Sequence, residues 1–146
     1  MTEKNKTILL AEDNPNDVEL TLRALKKNNI MNKIKTVVDG AEAMDYLLAQ
    51  GQYAASQDVL PSVVLLDLKL PKLNGLEVLQ RLRIHERTRY LPVVVLTSSK
   101  EEQDLVDSYK FGANSYVRKP VDFSQFAQAI QQLGLYWLIL NEAPPE

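Results

Sequence analysis

Apolar residues along this chain follow two rhythms. Short, largely apolar runs occupy residues 7–11, 34–38, 63–66 and 93–96, with a weaker one at 115–117. Runs of that length, rich in Val, Ile and Leu, read as strands buried on both faces. Between them the apolar positions recur every three or four residues, as on one face of a helix. Val18, Leu22 and Leu25 form one such stripe, and Ala43, Met44, Leu47 and Leu48 a second. Leu76, Leu79 and Leu82 form a third, and Leu105, Val106 and Tyr109 a fourth. Asn14 is a good N-cap with Pro15 at the first helical position, Asn74 a candidate cap, and Gly112 a C-terminal stop. Asp122 opens a fifth helix. The alternation β-α, five times over, predicts a parallel sheet covered by helices on both faces. Residues 49–62 form the longest loop, and residues 141–146 are expected to fray.

Polar residues interrupt this pattern at particular places. Glu12 and Asp13 follow the first strand, Asp67 the third, Thr97 ends the fourth, and Lys119 follows the fifth. All lie at the carboxyl ends of parallel strands, the edge where open α/β sheets bind ligands. Three carboxylates gathered there would repel one another unless a cation sat among them. Oxygen donors without His or Cys suit a hard divalent ion, Mg²⁺ first. Lys119 adds a second positive charge and Thr97 a hydroxyl. Such a site suits a phosphoryl group, with a carboxylate as the nucleophile. Asp67, on the central strand, is the best placed nucleophile, leaving Glu12 and Asp13 to hold the metal. Taken singly, each of these residues reads more simply as a cap, a turn or a solvated helix start. Their joint order on successive strands favours the site.

Composition narrows the classes further. The chain has 146 residues and suits one domain, with 17 Lys and Arg against 19 Asp and Glu. That balance argues against non-specific nucleic-acid binding, which rests on a strong positive patch. There is no cysteine and one histidine, His85, which excludes disulfides, thiolate zinc sites and multi-histidine centres. No signal-peptide core and no apolar run of membrane length occurs, so the expected setting is cytoplasmic.

The segments LLAEDNP, VVLLDLKLPKLNG, VVVLTSS and SYVRKP together closely resemble the receiver domain of two-component response regulators. The resemblance runs from Thr7 to about residue 133. It implies a flavodoxin-like (βα)5 fold, with the five-stranded parallel sheet in order 2-1-3-4-5. It implies that Asp67 accepts a phosphoryl group from the phosphohistidine of a sensor histidine kinase. By the same resemblance, Asp13 is a direct Mg²⁺ ligand alongside Asp67, and Glu12 acts mainly through metal-bound water. The backbone carbonyl of Lys69 is implied as a further ligand. Thr97 and Lys119 would meet the phosphoryl oxygens, and Lys119-Pro120 would be a cis peptide. Tyr116 matches the aromatic that the family couples to Thr97, expected to move inward with it. Lys69 and Ser99 are expected to face the same opening.

Beyond residue 122 the pattern changes. Phe123, Phe126, Ile130, Leu133, Trp137 and Leu140 make a heptad-like seam, and Leu135, Tyr136, Leu138 and Ile139 make the helix end apolar on nearly every face. A patch of that size usually means a partner. This ending, the long loop and the strand LPVVVLTSS resemble single-domain regulators associated with phytochrome-type kinases. That resemblance implies a homodimer through the fourth helix, fifth strand and fifth helix, with Tyr136 and Trp137 near the interface. The expected organisation is a single receiver domain, its core at about 7–133 and a helical extension at about 134–141.

The expected function is therefore a stand-alone phosphoacceptor switch rather than a conventional enzyme. A phosphorelay intermediate or phosphate sink is the nearest alternative. A haloacid-dehalogenase-like phosphatase would want a second acid where Lys69 stands. A flavodoxin-like FMN carrier would want a Ser/Thr/Gly-rich phosphate loop after the first strand.

Overall fold

The computed structural model describes residues 7–28, 30, 32–54 and 60–119, and the isolated positions 124, 125, 128, 131 and 132, which are helical. Five strands alternate with helices: β1 (Thr7–Ala11), α1 (Pro15–Lys27), β2 (Lys33–Val37), α2 (Gly40–Leu48), β3 (Val63–Leu66), α3 (Gly75–Ile84), β4 (Val93–Thr97), α4 (Glu102–Lys110) and β5 (Ser115–Arg118). All pair in parallel, in the order β2-β1-β3-β4-β5. This is the flavodoxin-like sheet expected from the sequence.

Successive residues of a strand point to opposite faces, so each buried run supplies two cores. Leu9, Val64, Leu66 and Val93 pack with Ala43 and Leu47 of α2 and Val78, Leu79 and Leu82 of α3. Ile8, Leu10, Val63, Leu65, Val94 and Leu96 pack on the other face with Ala24 and Leu25 of α1. Burying both faces of β1, β3 and β4 is what makes these strands uniformly apolar.

The helix ends follow their expected chemistry. The Asn14 side chain accepts from the amides of Asn16 and Asp17, ahead of Pro15. Asn74 and Glu77 form a reciprocal capping box at the start of α3. Gly112 adopts φ 102 just after α4, a backbone conformation that favours glycine. Two local features were not anticipated: Asp39 caps α2, and a single 3-10 turn occupies Gly51–Tyr53 inside the long loop. Pro120 and the segment carrying Tyr136 and Trp137 lie outside the described residues, as do the implied cis peptide and the apolar seam.

Arg83 ties the amino edge of the sheet together. Its guanidinium donates to the Gly112 carbonyl (3.1 and 2.8 Å), to the carbonyls of Thr88 (3.2 Å) and Arg89 (3.1 Å), and to Asn114 Oδ1 (3.2 Å). Asn114 in turn accepts from the Val93 amide, at the start of β4. Arg83→Ala is expected to lower unfolding stability by about 2 kcal/mol, the scale of hydrogen bonds to a charged donor. A midpoint in urea unchanged from wild type would show that Arg83 contributes no such tie.

Candidate functional site

The site is built by backbone bonds that extend the sheet ladders past the strand ends. The Glu12 amide donates to Val37 O (3.0 Å), Asp67 to Ala11 O (3.1 Å) and Lys119 to Thr97 O (2.8 Å). Three loops thus leave the sheet at one level, and their first side chains converge. One carboxylate oxygen each from Glu12, Asp13 and Asp67 lie within 4.8 Å of one another. Glu12 and Asp67 are only 2% and 6% exposed, whereas Asp13 faces solvent. The start of α3 presses against this point: a Cβ on Gly75 would lie 2.3 Å from the Asp67 carbonyl oxygen, so only glycine fits there.

Lys119 reaches into the cluster. Its ammonium donates to Glu12 Oε1 and to Asp17 Oδ2 (3.1 Å), and lies 3.7 Å from Asp67 Oδ2. Burial, the largest influence, pushes the Glu12 carboxyl up to about 7; the Lys119 bond opposes this and the Asp67 charge adds to it. Burial pulls Lys119 down, but its bond to Glu12 and the charge of Asp67 outweigh that and hold it above the ordinary lysine value.

On the β4 side Thr97 is fully buried, and its hydroxyl accepts from the Ser99 amide (3.3 Å). Ser99 was expected to face the opening. Its hydroxyl donates to Asp104 Oδ2 on α4 (2.6 Å) and accepts from the Glu101 amide (3.3 Å). The Arg118 guanidinium donates to the Ser99 carbonyl (3.1 Å). The Tyr116 hydroxyl is buried in the same region, without a hydrogen-bond partner among the described residues, and burial raises its pKa. Lys69 is exposed, and its amide faces Asp67 Oδ1 at 3.4 Å.

The structure therefore brings together Glu12, Asp13, Asp67 and Lys119. Thr97 ends the neighbouring strand, and Tyr116 lies farther along on β5. Asp17 was not foreseen. An acid in the first turn of a helix is ordinarily explained by the helix dipole alone, so the sequence carried no separate signal for its contact with Lys119. Three carboxylates and no softer donor fit a hard divalent ion such as Mg²⁺ or Mn²⁺.

Residues 8–131 match the family model described as the response regulator receiver domain, and the chain belongs to that family. The relative "Probable methanogenesis regulatory protein FilR2" of Methanothrix harundinacea is 40% identical over 94% of this chain and 86% of its own length. Response regulator Rcp1 of Synechocystis sp. is 37% identical over 91% of this chain and 89% of its own. The phosphorylated cyanobacterial phytochrome response regulator RcpA superposes with a TM-score of 0.88 at 38% identity, covering 96% of this chain and 99% of that one. The bacteriophytochrome response regulator AtBRR is 55% identical, with a TM-score of 0.76 over 94% of this chain and 98% of its own. Rcp1 has also been solved in a Mn²⁺-bound form, with a TM-score of 0.86 at 35% identity over 96% of this chain and 99% of that one.

Because Glu12 titrates near 7, protons and a divalent cation compete for the cluster. Its raised pKa means that the folded chain holds the Glu12 proton more tightly than the unfolded chain does. Glu12 therefore adds stability below its ordinary pKa of 4.5, and that contribution is lost as pH rises to about 7. The stability of wild type minus that of Glu12→Gln is expected to fall between pH 5 and pH 8 without metal, and Mg²⁺ affinity to rise over the same interval. A stability difference that stays flat with pH in chemical denaturation would contradict this.

Proposed function

We propose that this receiver accepts a phosphoryl group on Asp67 from the phosphohistidine of a phytochrome-type sensor histidine kinase. The convergence of Glu12, Asp13 and Asp67, with Lys119 3.7 Å from the Asp67 carboxylate, is the observation that carries this reading. An Asp67 oxygen attacks phosphorus, the P–N bond of the phosphohistidine breaks, and the imidazole, protonated at its other ring nitrogen beforehand, takes the bonding pair and leaves neutral. Asp13, Asp67 and the Lys69 carbonyl would hold Mg²⁺, with Glu12 acting mainly through metal-bound water, and the ion would neutralise charge at the transferring oxygens. Lys119 forms an ion pair with the product phosphate and Thr97 donates its hydroxyl to it.

The product carries roughly one more negative charge than the aspartate and three strong acceptor oxygens. Thr97 leads from those oxygens to Ser99, and Ser99 to Asp104 of α4, which gives the charge a route to the α4–β5 face. Tyr116 is the switch residue on that face. Val106 and Tyr109 of α4 stand half exposed nearby in sequence, 53% and 51%. This face, together with the apolar segment 123–140 whose sequence predicts a helix, is the homodimer surface, with Tyr136 and Trp137 near the interface. The chain acts as a single cytoplasmic receiver domain, core about 7–133 and extension about 134–141, and signals by protein contacts. Support for the phytochrome-type partner comes from the likeness to RcpA and AtBRR, both phytochrome response regulators.

Incubation with Mg²⁺ and acetyl phosphate, or with a phosphorylated sensor kinase, is expected to give an acid-stable, hydroxylamine-labile phosphate. Asp67→Asn should carry none. Multiple turnover of small phosphate esters, or equal labelling of the variant, would sink the reading. For the dimer, truncation after Gly134 should leave a monomer in sedimentation; an unchanged sedimentation coefficient would refute that surface.

A further inference from the structure

Lys119 has a nearly closed environment, its side chain 9% exposed, and three anions compete for its ammonium. Glu12 and Asp17 are bonded to it, while Asp67 stands farther off at 3.7 Å. An ammonium has three protons to donate, and a buried one is costly to leave unpaired. These partners differ in what else is asked of them. Glu12 belongs to the cluster that suits a divalent cation, and Asp67 is the group that would change charge. Asp17 has neither duty, as its place in α1 keeps it out of the three-carboxylate group.

The backbone around Asp17 is fixed by local bonds. Its amide donates to Asn14 Oδ1 (3.3 Å), and its carbonyl accepts from the Thr21 hydroxyl (2.8 Å). The first turn of α1 thus sets the Asp17 carboxylate opposite Lys119 Nζ, which arrives from the far end of β5. No other described contact links α1 to the end of β5 by an ion pair.

Resting on the phosphoacceptor reading of Asp67, we propose that Asp17 is a positioning residue for phosphoryl transfer, holding the Lys119 ammonium over Asp67 whatever Glu12 is bound to. Without it, Lys119 retains only Glu12 as a bonded partner and is drawn away from Asp67. Asp17 forms no bond to phosphorus. It orients the lysine that does meet the phosphoryl oxygens, as the outer partners of a metal ligand orient that ligand.

Two readouts on the full chain test this. In the first, Asp17→Asn is expected to slow phosphorylation by acetyl phosphate at saturating Mg²⁺ roughly tenfold, the lower end of losses seen for orienting partners. Asp17→Glu should recover much of the rate. Glu19→Gln, which removes the same charge from the exposed side of α1, should match wild type. In the second, the metal-free, unphosphorylated protein is treated briefly with acetic anhydride, and acetylation of Lys119 is read by mass spectrometry. Lys119 should react several-fold faster in Asp17→Asn than in wild type or Glu19→Gln.

A wild-type Lys119 labelling rate in Asp17→Asn overturns the proposal, because the lysine is then held by other groups. Faster labelling with an unchanged phosphorylation rate overturns it too, since the contact then has no bearing on transfer. An equal slowing in Glu19→Gln would assign the effect to helix charge and also overturn it. A wild type that takes no phosphate removes the Asp67 reading itself, and this role with it. That outcome is separate from a failure of Asp17 alone, which leaves wild type active. Far-ultraviolet circular dichroism melts show whether each variant is folded, and Asp17→Glu decides the matter if Asp17→Asn is not.

Discussion

Mutual repulsion among Glu12, Asp13 and Asp67 is the constraint around which the site is arranged. Two unit charges about 5 Å apart repel by roughly 3 kcal/mol at an effective dielectric near 20. The loops cannot relieve this by splaying, because the first amide after each of β1 and β3 is bonded to the neighbouring strand. Packing of the two cores keeps those strands in register, so hydrophobic burial holds the carboxylates together against their charge. The surrounding cations must then do the rest.

Lys119 meets that need only in part. One ammonium against Glu12, Asp13, Asp67 and Asp17 leaves the group anionic, and the Asp67 charge adds to the rise that burial, the larger cause, imposes on the Glu12 carboxyl. A proton or a divalent cation can make up the difference, and the two compete for Glu12. A site in this condition would resist a dianionic phosphoryl group unless a metal came with it. The anionic surplus therefore makes the proposed reaction metal-dependent, and the Lys119–Asp17 contact decides where the remaining positive charge points.

How much of this was legible follows from where each residue sits. The inner strands β1, β3 and β4 declared themselves because burial on both faces leaves little room for polar residues, and the caps Asn14, Asn74 and Gly112 because their side chains or backbone conformations have specific jobs. Asp67 stood out as an acid at the end of such a run. Asp17 did not, because its pairing with Lys119 spans most of the chain while a first-turn acid already has a local explanation. The position of Ser99 two residues after Thr97 was evident, but its bond to Asp104 depends on where α4 begins, which local sequence does not fix. The 3-10 turn at Gly51–Tyr53 has neither a side-chain cap nor an apolar stripe, the two signals by which short helices are found.

That Ser99 contact also bears on how a charge at Asp67 could be felt on the α4–β5 face. The Ser99 amide rests on the Thr97 hydroxyl, its own hydroxyl on Asp104, and its carbonyl on Arg118. One residue thus joins β4, α4 and β5 through three separate groups. If the Thr97 side chain shifts towards a phosphoryl oxygen, the Ser99 amide bonded to its hydroxyl is the first group to feel it, and the bonds to Asp104 and Arg118 carry that movement on. The Tyr116 hydroxyl, buried nearby with no hydrogen-bond partner among the described residues, stands where such a rearrangement would reach it.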